Sequence, residues 1–301
     1  MPPKQKERPA VTPPLTSAGA TSLDTAFGCA RFFLENRFVY LVLSARAGGL
    51  SVGLNMNPDK HCNFDCVYCE VDRDTPARES ALDIDSMGDE LVQTLEFVHS
   101  GRVREIPAYA TLPAELLWLR QVALSGDGEP TLCPQFAEAV QAVAHVRARG
   151  RFPFFKMVLI TNASGLDLPP VRHGLKCFTG VDEVWCKLDV GTQAEMDRIN
   201  RAQVPLKKIL ANILRLGRRR PVVIQSLFAE FEGAGPSAIE IEEYSRRLWE
   251  LKSAGAQIPL VQIYSATRPC GHAGCGHLPL RTLSRIAQSV RHATGLRVEV
   301  F

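Results

Sequence analysis

Residues 53–73 read GLNMNPDKHCNFDCVYCEVDR, with Cys62, Cys66 and Cys69 close together and Tyr68 directly before the third cysteine. Soft sulfur ligands suit iron–sulfur clusters or zinc. A four-iron cube normally takes four cysteines, so three local ones would leave one iron without a protein ligand. The spacing therefore predicts a metal centre with an open coordination position, or else a zinc loop that a distant Cys or His completes.

Length and composition predict one large α/β protein. The chain has 301 residues, of which 46% are hydrophobic, and a net charge of +3, so a sizeable core is expected. Outside residues 1–20 basic and acidic residues nearly balance, so charge alone makes no case for a nucleic-acid-binding surface. Nine cysteines without a secretory signal or a long apolar run predict a reducing, cytoplasmic location and no membrane span.

Short apolar strands alternate with amphipathic helices, a pattern that predicts a parallel sheet with right-handed crossovers. We expect strands at residues 38–44, 50–55, 119–124, 154–160, 183–188, 222–228, 258–264 and 296–301. We expect helices at residues 24–36, 83–99, 134–149, 192–200, 206–216, 237–254 and 280–293. The six βα units between residues 50 and 264 suit a partial barrel better than a closed eightfold one.

The domain organisation is expected to be simple. Residues 1–20, rich in Pro, Lys, Ser and Thr, are interpreted as a disordered leader. Residues 21–49 are interpreted as a short N-terminal extension. Residues 50–301 are expected to form the core domain, including its C-terminal helix and a small C-terminal strand.

Unusual polar residues fall at the carboxyl ends of the six predicted strands, where the reacting groups of parallel barrels lie. After the cysteine loop, the strand ends carry Gly126-Asp127-Gly128-Glu129-Pro130, Thr161-Asn162, Lys187-Leu188-Asp189, Gln225-Ser226, and Gln262 with Tyr264. Six separate strand ends agree in this respect. The sequence therefore predicts one active site at this rim.

A second group of metal-ligand residues follows the sixth strand, namely Cys270, His272, Cys275 and His277. It is either a second metal site or a Gly-rich, substrate-facing lid. Other cysteines are expected to be buried or incidental thiols, namely Cys29, Cys133, Cys177 and Cys186. The run Arg218-Arg219-Arg220 precedes a strand, so we expect a solvated face on the opposite rim.

The cysteine loop, CNFDCVYC at residues 62–69, resembles the cluster loop of radical S-adenosylmethionine (SAM) enzymes, including the aromatic residue before the third cysteine. Residues 126–130 resemble their Gly-Gly-Glu-Pro segment, which binds the SAM amino group, with one residue added. The resemblance implies an open (β/α)6 core and a [4Fe-4S] cluster on Cys62, Cys66 and Cys69. SAM would chelate the open iron through its amino and carboxylate groups.

The resemblance also implies a reaction. One electron, from a donor such as flavodoxin or ferredoxin, would cleave SAM to methionine and a 5′-deoxyadenosyl radical, which would abstract hydrogen from a substrate. SAM contacts are then expected at Tyr68, Gly126, Asp127, Gly128, Glu129, Asn162, Asp189 and Ser226, with Lys187 as a further candidate. The alternatives for these residues are a plain βα turn, helix capping by Asp189, and loop hydrogen bonding.

Within the superfamily, the sequences CNFDCVYCEVDR, LSGDGEPTL and LITN look most like the wyosine-synthase-like group of Fe–S oxidoreductases, some of which modify tRNA. The tRNA enzymes that make the tricyclic base carry further upstream cysteines, whereas this chain has only Cys29 there. We therefore expect an oxidoreductase-like radical SAM enzyme whose substrate is unidentified; the sequence disfavours a nucleic-acid substrate without excluding one. The alternatives are tRNA modification of the wyosine type, a glycyl-radical activase, a non-catalytic zinc or electron-transfer module, and an RNA-binding scaffold.

Overall fold

A computed structural model of the chain describes residues 33–266, residue 270 and residues 272–301. The leader predicted at residues 1–20, Cys29 and most of the helix predicted at residues 24–36 lie outside them. Within the described ranges, no helix has the length and apolar character needed to cross a membrane.

The fold is built on one curled sheet of eight strands in the order β1-β2-β3-β4-β5-β6-β8-β10. The strands are β1 (Val39–Ser44), β2 (Gly49–Asn55), β3 (Leu119–Ser125), β4 (Lys156–Thr161), β5 (Glu183–Lys187), β6 (Val223–Leu227), β8 (Val261–Tyr264) and β10 (Val298–Val300). All neighbouring pairs are parallel except β1 with β2. The predicted partial barrel and its small C-terminal strand are confirmed. The strand β1, from the predicted N-terminal extension, forms the antiparallel edge of this sheet.

Helices cover the convex face of the sheet. They are α1 (Ile84–His99), α2 (Phe136–Ala148), α3 (Pro169–Gly174), α4 (Gln193–Glu195), α5 (Leu206–Gly217), α6 (Ala238–Ser253) and α7 (Leu280–Thr294). Side chains cap several of them at the N-terminus, as Asp83 does for α1 and Ser237 for α6. Short 3-10 turns lie at Phe33–Glu35, Arg102–Glu105, Ala114–Leu117, Pro130–Leu132 and Leu175–Cys177.

The core lies between the helices and the sheet. Leu91 and Leu95 of α1 and Val140 of α2 are fully buried, as are Leu54 of β2 and Leu124 of β3. Each such side chain stabilises the fold by roughly 1.5–3 kcal/mol relative to its exposed state. Both strands also end in a polar residue, Asn55 in β2 and Ser125 in β3.

One local prediction was confirmed in part and another was wrong. The helix predicted at residues 192–200 is present, but it is α-helical only over α4, which Thr192 caps, and it continues as a π turn at Met196–Asn200 that Arg201 ends in a left-handed conformation. The segment containing the second Cys/His group was expected to be a loop. It includes a short strand, β9 (Cys275–His277), paired with β7 (Ala229–Phe231) in a separate two-stranded sheet.

Candidate functional site

The three cysteines of the loop after β2 are free thiols, and each is partly exposed. The Sγ of Cys62 accepts a hydrogen bond from the backbone N–H of Phe64 at 3.4 Å. The Sγ of Cys66 accepts one from Nδ2 of Asn200 at 3.5 Å. Burial raises the pKa of Cys62 to about 11 and that of Cys66 to about 12. Both N–H···S bonds favour the thiolate form, which is the form that binds a metal.

The backbone of the cysteine loop is fixed to the π turn after α4. The N–H of Asp65 donates to the carbonyl oxygen of Asn200 at 3.1 Å, and the N–H of Val67 donates to that of Ile199 at 2.9 Å. The loop is therefore held over the carboxyl end of β5 by main-chain hydrogen bonds.

Tyr68, the residue before the third cysteine, is buried and donates its hydroxyl to Oδ2 of Asp189. Nδ2 of Asn200 lies 3.0 Å from the Tyr68 hydroxyl and 2.9 Å from the same carboxylate oxygen. The other oxygen of Asp189 accepts a hydrogen bond from the N–H of Leu227 at 2.8 Å. Asp189 thus joins the cysteine loop to the ends of β5 and β6, and it does not cap α4.

Lys187 supplies a buried cation to the same cluster. Its Nζ lies 3.5 Å from Oδ1 of Asp189, donates to the hydroxyl of Tyr264 at 3.1 Å and lies 4.9 Å from the centre of the Tyr68 ring. Burial opposes its charge, but Asp189, Tyr264 and Cys66 together outweigh burial, so the pKa of Lys187 is raised. Lys187 is therefore protonated at neutral pH.

The glycines after β3 pack against the cysteine loop. A Cβ on Gly126 would lie 2.2 Å from Oδ1 of Asn55, and one on Gly128 would lie 1.9 Å from the carbonyl oxygen of His61. Nδ2 of Asn55 also donates to Oδ2 of Asp127 at 2.7 Å. The SAM contacts expected at these glycines stay predictions. In the structure, the backbone that the glycines admit is that of the cysteine loop.

The carboxylate of Glu129 connects the ends of β3 and β4. Its Oε1 accepts hydrogen bonds from the N–H and hydroxyl of Thr131 at 3.0 and 2.6 Å and from the hydroxyl of Thr161. Its Oε2 accepts one from the N–H of Asn162 at 2.7 Å. Burial raises the pKa of Glu129. The predicted contact with the SAM amine stays a prediction, and this carboxylate already has four protein donors.

Asn162 and Ser226 also bond to protein groups. Nδ2 of Asn162 donates to Oδ1 of Asn63, next to Cys62, at 2.9 Å. The hydroxyl of Ser226 donates to the carbonyl oxygen of Leu188 at 2.6 Å and lies 2.5 Å from the hydroxyl of Tyr244. The structure therefore brings Asn162 to the cysteine loop and buries Ser226 beneath Asp189. Their predicted contacts with SAM stay predictions.

Two groups near the site have unused hydrogen-bonding capacity, and sequence reasoning missed both of them. Oδ1 of Asn57, in the segment between β2 and the cysteine loop, is buried without a partner among the described residues, and the Cβ of Asn57 lies beside Gly128. Nε of Arg46, in the β1–β2 turn, is likewise buried and unpaired within that part of the chain. The Arg46 guanidinium stacks 4.1 Å from the centre of the Tyr264 ring. The asparagine of an Asn-Pro turn and an arginine in a hairpin carry no sequence signal of such roles.

On the concave face, Gln225 and Gln262 continue this polar cluster. Nε2 of Gln225 donates to Oε1 of Gln262 at 3.2 Å, and the hydroxyl of Tyr264 lies 3.5 Å from Oε1 of Gln225. The strand-end residues predicted to meet at one rim do meet, because parallel strands place their carboxyl ends together.

The second Cys/His group is divided among different partners. Nε2 of His272 lies 3.3 Å from Oδ1 of Asp65 in the cysteine loop, whereas Nδ1 of His277 faces a backbone carbonyl oxygen at 3.0 Å. Burial and the neighbouring Cys270 raise the pKa of Cys275 to about 12. In the residues that the structure describes, no three His, Cys, Asp or Glu side chains are gathered as ligands of a single metal ion. The second metal site and the lid stay predictions.

The donor set around the cysteine loop suits an iron–sulfur cluster with SAM beside it. Three free, partly exposed thiols lie on one loop, and those of Cys62 and Cys66 accept hydrogen bonds from N–H donors, as the sulfur ligands of such clusters do. The unpaired Oδ1 of Asn57 is an acceptor of the kind that an ammonium group needs.

Comparison with known proteins places the fold. The structure of Streptococcus suis SuiB bound to S-adenosylmethionine has a TM-score of 0.57 and 13% identity, and covers 81% of this chain and 49% of its own. The structure of TYW1 with a lysine-pyruvate adduct bound has a TM-score of 0.55 and 13% identity, and covers 81% of this chain and 74% of its own. Both are radical SAM enzymes, so the chain has the fold of that superfamily, as the sequence predicted.

At the sequence level, a UPF0026 protein of Helicobacter pylori is 28% identical over 184 residues, which are 59% of this chain and 50% of that protein. The chain spans about half the length of the curated Helicobacter relatives that it matches. No protein-family model matches the chain.

Proposed function

We propose that this protein is a radical SAM enzyme in which Cys62, Cys66 and Cys69 hold a [4Fe-4S] cluster. One observation carries the proposal. The three thiols lie on the loop after the first parallel strand of a radical SAM fold, and main-chain bonds, Tyr68 and Asn200 hold that loop over the carboxyl end of β5. The cluster, reduced by an external electron donor, would supply the electron that cleaves SAM into methionine and a 5′-deoxyadenosyl radical.

The chain's own residues would hold and orient SAM. Asn57 and the backbone of residues 126–128 lie where the cysteine loop meets the glycine loop, and the unpaired Asn57 Oδ1 suits the SAM ammonium group. Glu129 and Asp189 keep the strand ends in register through their hydrogen bonds to neighbouring elements. In this proposal they act mainly by positioning the two loops.

The concave face favours a negatively charged group. The cations Lys187 and Arg46 both adjoin the ring of Tyr264, at 5.4 and 4.1 Å from its centre, and the nearby carboxylate of Asp189 already has several donors. A carboxylate or phosphate there would gain charge-assisted hydrogen bonds.

Comparing the binding of SAM with that of its decarboxylated analogue shows whether this anionic group belongs to SAM or to the substrate. If Arg46→Gln binds SAM more weakly than the native chain does but binds the decarboxylated analogue equally well, the two cations bind the SAM carboxylate. If it binds SAM and the analogue as tightly as the native chain does, the cations bind the substrate.

The test of the proposal is formation of 5′-deoxyadenosine. The full chain is reconstituted with iron and sulfide without oxygen, then given dithionite and SAM. We expect product from the native chain and a loss of at least about a hundredfold in Cys66→Ala, because that cluster ligand is gone. Cys133→Ala is the matched control, because Cys133 is a buried thiol outside the cysteine loop, and this variant should keep both iron and product.

The contrary outcome is equally definite. If the native chain binds zinc at the three cysteines and forms no 5′-deoxyadenosine, the protein is a non-catalytic metal module and the proposal fails. Iron content and the visible absorption of the cluster, measured on the same samples, separate failed reconstitution from absence of activity.

A further inference from the structure

A basic groove of about 700 Å³ lies on the outer surface, between α3 with the Leu175–Cys177 turn and the C-terminal half of α5. We call it the arginine groove. Its charged lining consists of Arg172, His173, Lys176, Arg215, Arg219 and Arg220. No Asp or Glu is among its lining residues in the part of the chain that the structure describes. A volume of this size is typical of a small-ligand site.

Half of the basic side chains of the arginine groove have no partner among the described residues. Arg215 donates to Oδ1 of Asn212 at 3.3 Å, and His173 lies 3.4 Å from the side chain of Gln141. Within the described ranges, the side chains of Arg172, Lys176 and Arg219 form no hydrogen bond or ion pair. Two carboxylates lie beside the groove and have partners of their own. Asp182 bonds bidentately to Arg147, and its charge also acts on Arg220. Asp167 accepts a hydrogen bond from Asn212 at 3.2 Å and lies 3.7 Å from Nζ of Lys208. Like charges gathered without counter-charges repel one another, so an anion in the groove would relieve that repulsion.

Arg220 shows that the groove is built and is not only a solvated surface. Its Nη2 donates to the carbonyl oxygens of Thr179 and Asp182 at 3.0 and 2.6 Å, which fixes the guanidinium in place. Its Nε is buried and has no partner among the described residues. An unpaired buried N–H is costly, and a ligand oxygen would satisfy it. The guanidinium also lies 5.4 Å from the centre of the Phe178 ring, which forms part of the groove wall.

The sequence predicted that Arg218-Arg219-Arg220 is a solvated face, and Arg218 and Arg219 are indeed exposed. Arg220 is half-buried, however, and Arg219 and Arg220 both line the groove. Arg218 does not line it, because its Nε donates to the carbonyl oxygen of Ala254 at 2.8 Å. Adjacent arginines of equal charge thus have different surroundings, which provides a matched pair for testing.

We infer that the arginine groove binds phosphoryl groups. Guanidinium groups match phosphate oxygens in charge and in bidentate geometry, and several of them converge here without competing carboxylates. Phe178 and Leu216 add an apolar wall against which the rest of the ligand can pack. The phosphoryl group can belong to a free nucleotide or polyphosphate or to an RNA backbone. The site is separate from the cysteine loop, and the inference is independent of the proposed function.

Binding of inorganic pyrophosphate, measured by calorimetry with the full chain at low salt, tests the inference. We expect one site per chain. Loss of one charge-assisted contact in Arg219→Gln or in Arg172→Gln should weaken binding about tenfold. Arg218→Gln, which removes the same charge, should change the affinity less than about twofold. Thermal unfolding of each variant shows whether its fold is intact. Arg219 and Arg172 lie on opposite sides of the groove, so each variant tests it separately.

A single-stranded RNA oligomer distinguishes the two sources. The ligand is a nucleic-acid backbone if RNA binds and competes with pyrophosphate. In that case the slope of the logarithm of the binding constant against the logarithm of the salt concentration should fall by about one unit in Arg219→Gln but not in Arg218→Gln. If pyrophosphate binds at one site and RNA does not, the ligand is a free phosphorylated molecule. The inference is overturned if neither probe binds at millimolar concentration, or if Arg218→Gln weakens binding as much as Arg219→Gln.

Discussion

The hydrogen bond between Tyr68 and Asp189 provides a quantitative test of how the cysteine loop is held. Tyr68→Phe removes only the hydroxyl, which donates to the carboxylate and accepts from Asn200 at 3.0 Å. Hydrogen bonds to charged groups contribute about 1.5–3 kcal/mol, so we expect the free energy of unfolding to fall by about 2 kcal/mol. Tyr40→Phe is the matched control, because the Tyr40 hydroxyl lies 2.8 Å from the neutral hydroxyl of Ser125. Its loss should cost about 1 kcal/mol.

Urea unfolding of the two variants measures these free energies. A second measurement follows the loss of iron to a chelator after reconstitution, because a loosened loop exposes its ligands. We expect Tyr68→Phe to lose iron faster than Tyr40→Phe does. Equal destabilisation by the two variants, with equal rates of iron loss, would refute the reasoning, since the carboxylate would then add nothing to the anchoring of the loop.

Three further predictions concern the packing around the site. Gly128→Ala should lower the free energy of unfolding, measured in urea, by more than about 2 kcal/mol, because the new Cβ would overlap the His61 carbonyl. As the control, Gly88→Ala in α1 should raise the free energy of unfolding by up to about 1 kcal/mol, because its Cβ would meet no neighbour. Burial would raise the pKa of Asp182, but the hydrogen bonds from Arg147, Met157 and Thr179 together outweigh burial and lower that pKa below 3.8. Asp182→Asn should therefore lower the free energy of unfolding by about 3 kcal/mol at pH 7, and this loss should shrink as pH falls below 3.8. Arg46→Gln loses only one cation–π contact, so the free energy of unfolding, measured by thermal denaturation, should fall by about 1 kcal/mol. A much larger fall would mean that the contact between Arg46 and Tyr264 holds the two edges of the sheet together.

The strands could be predicted from the sequence because their signals are local. In β3, for example, residues 122–124 are apolar and buried on both faces and Gly126 follows soon after, so the apolar run and the turn signal agree. The exception at β8 has a local cause. The prediction began at residue 258, but the strand begins at Val261, because Pro259 lacks the N–H that a ladder needs.

The features that could not be predicted depend on contacts between distant parts of the chain. The π turn after α4 includes a bond from the N–H of Arg201 to the carbonyl oxygen of Met196, and its end also receives the N–H of Asp65 from the cysteine loop. The strands β7 and β9 are three residues each and far apart in sequence, so neither carries a pattern of its own. Helical periodicity at residues 192–200 cannot reveal a partner that lies over a hundred residues earlier.

At the rim of the sheet, residue type alone does not separate binding from bracing. A buried carboxylate at a strand end can hold a ligand or a neighbouring loop, and either role requires convergent donors. In Glu129 those donors are the Thr131, Thr161 and Asn162 groups of the protein itself. A ligand-binding group is distinguished by hydrogen-bonding capacity that remains unused after the protein's own hydrogen bonds have formed. By that criterion Asn57, and on the concave face Arg46, are better candidates for ligand contact than the Glu and Ser that the sequence emphasised, although neither belongs to a recognisable motif.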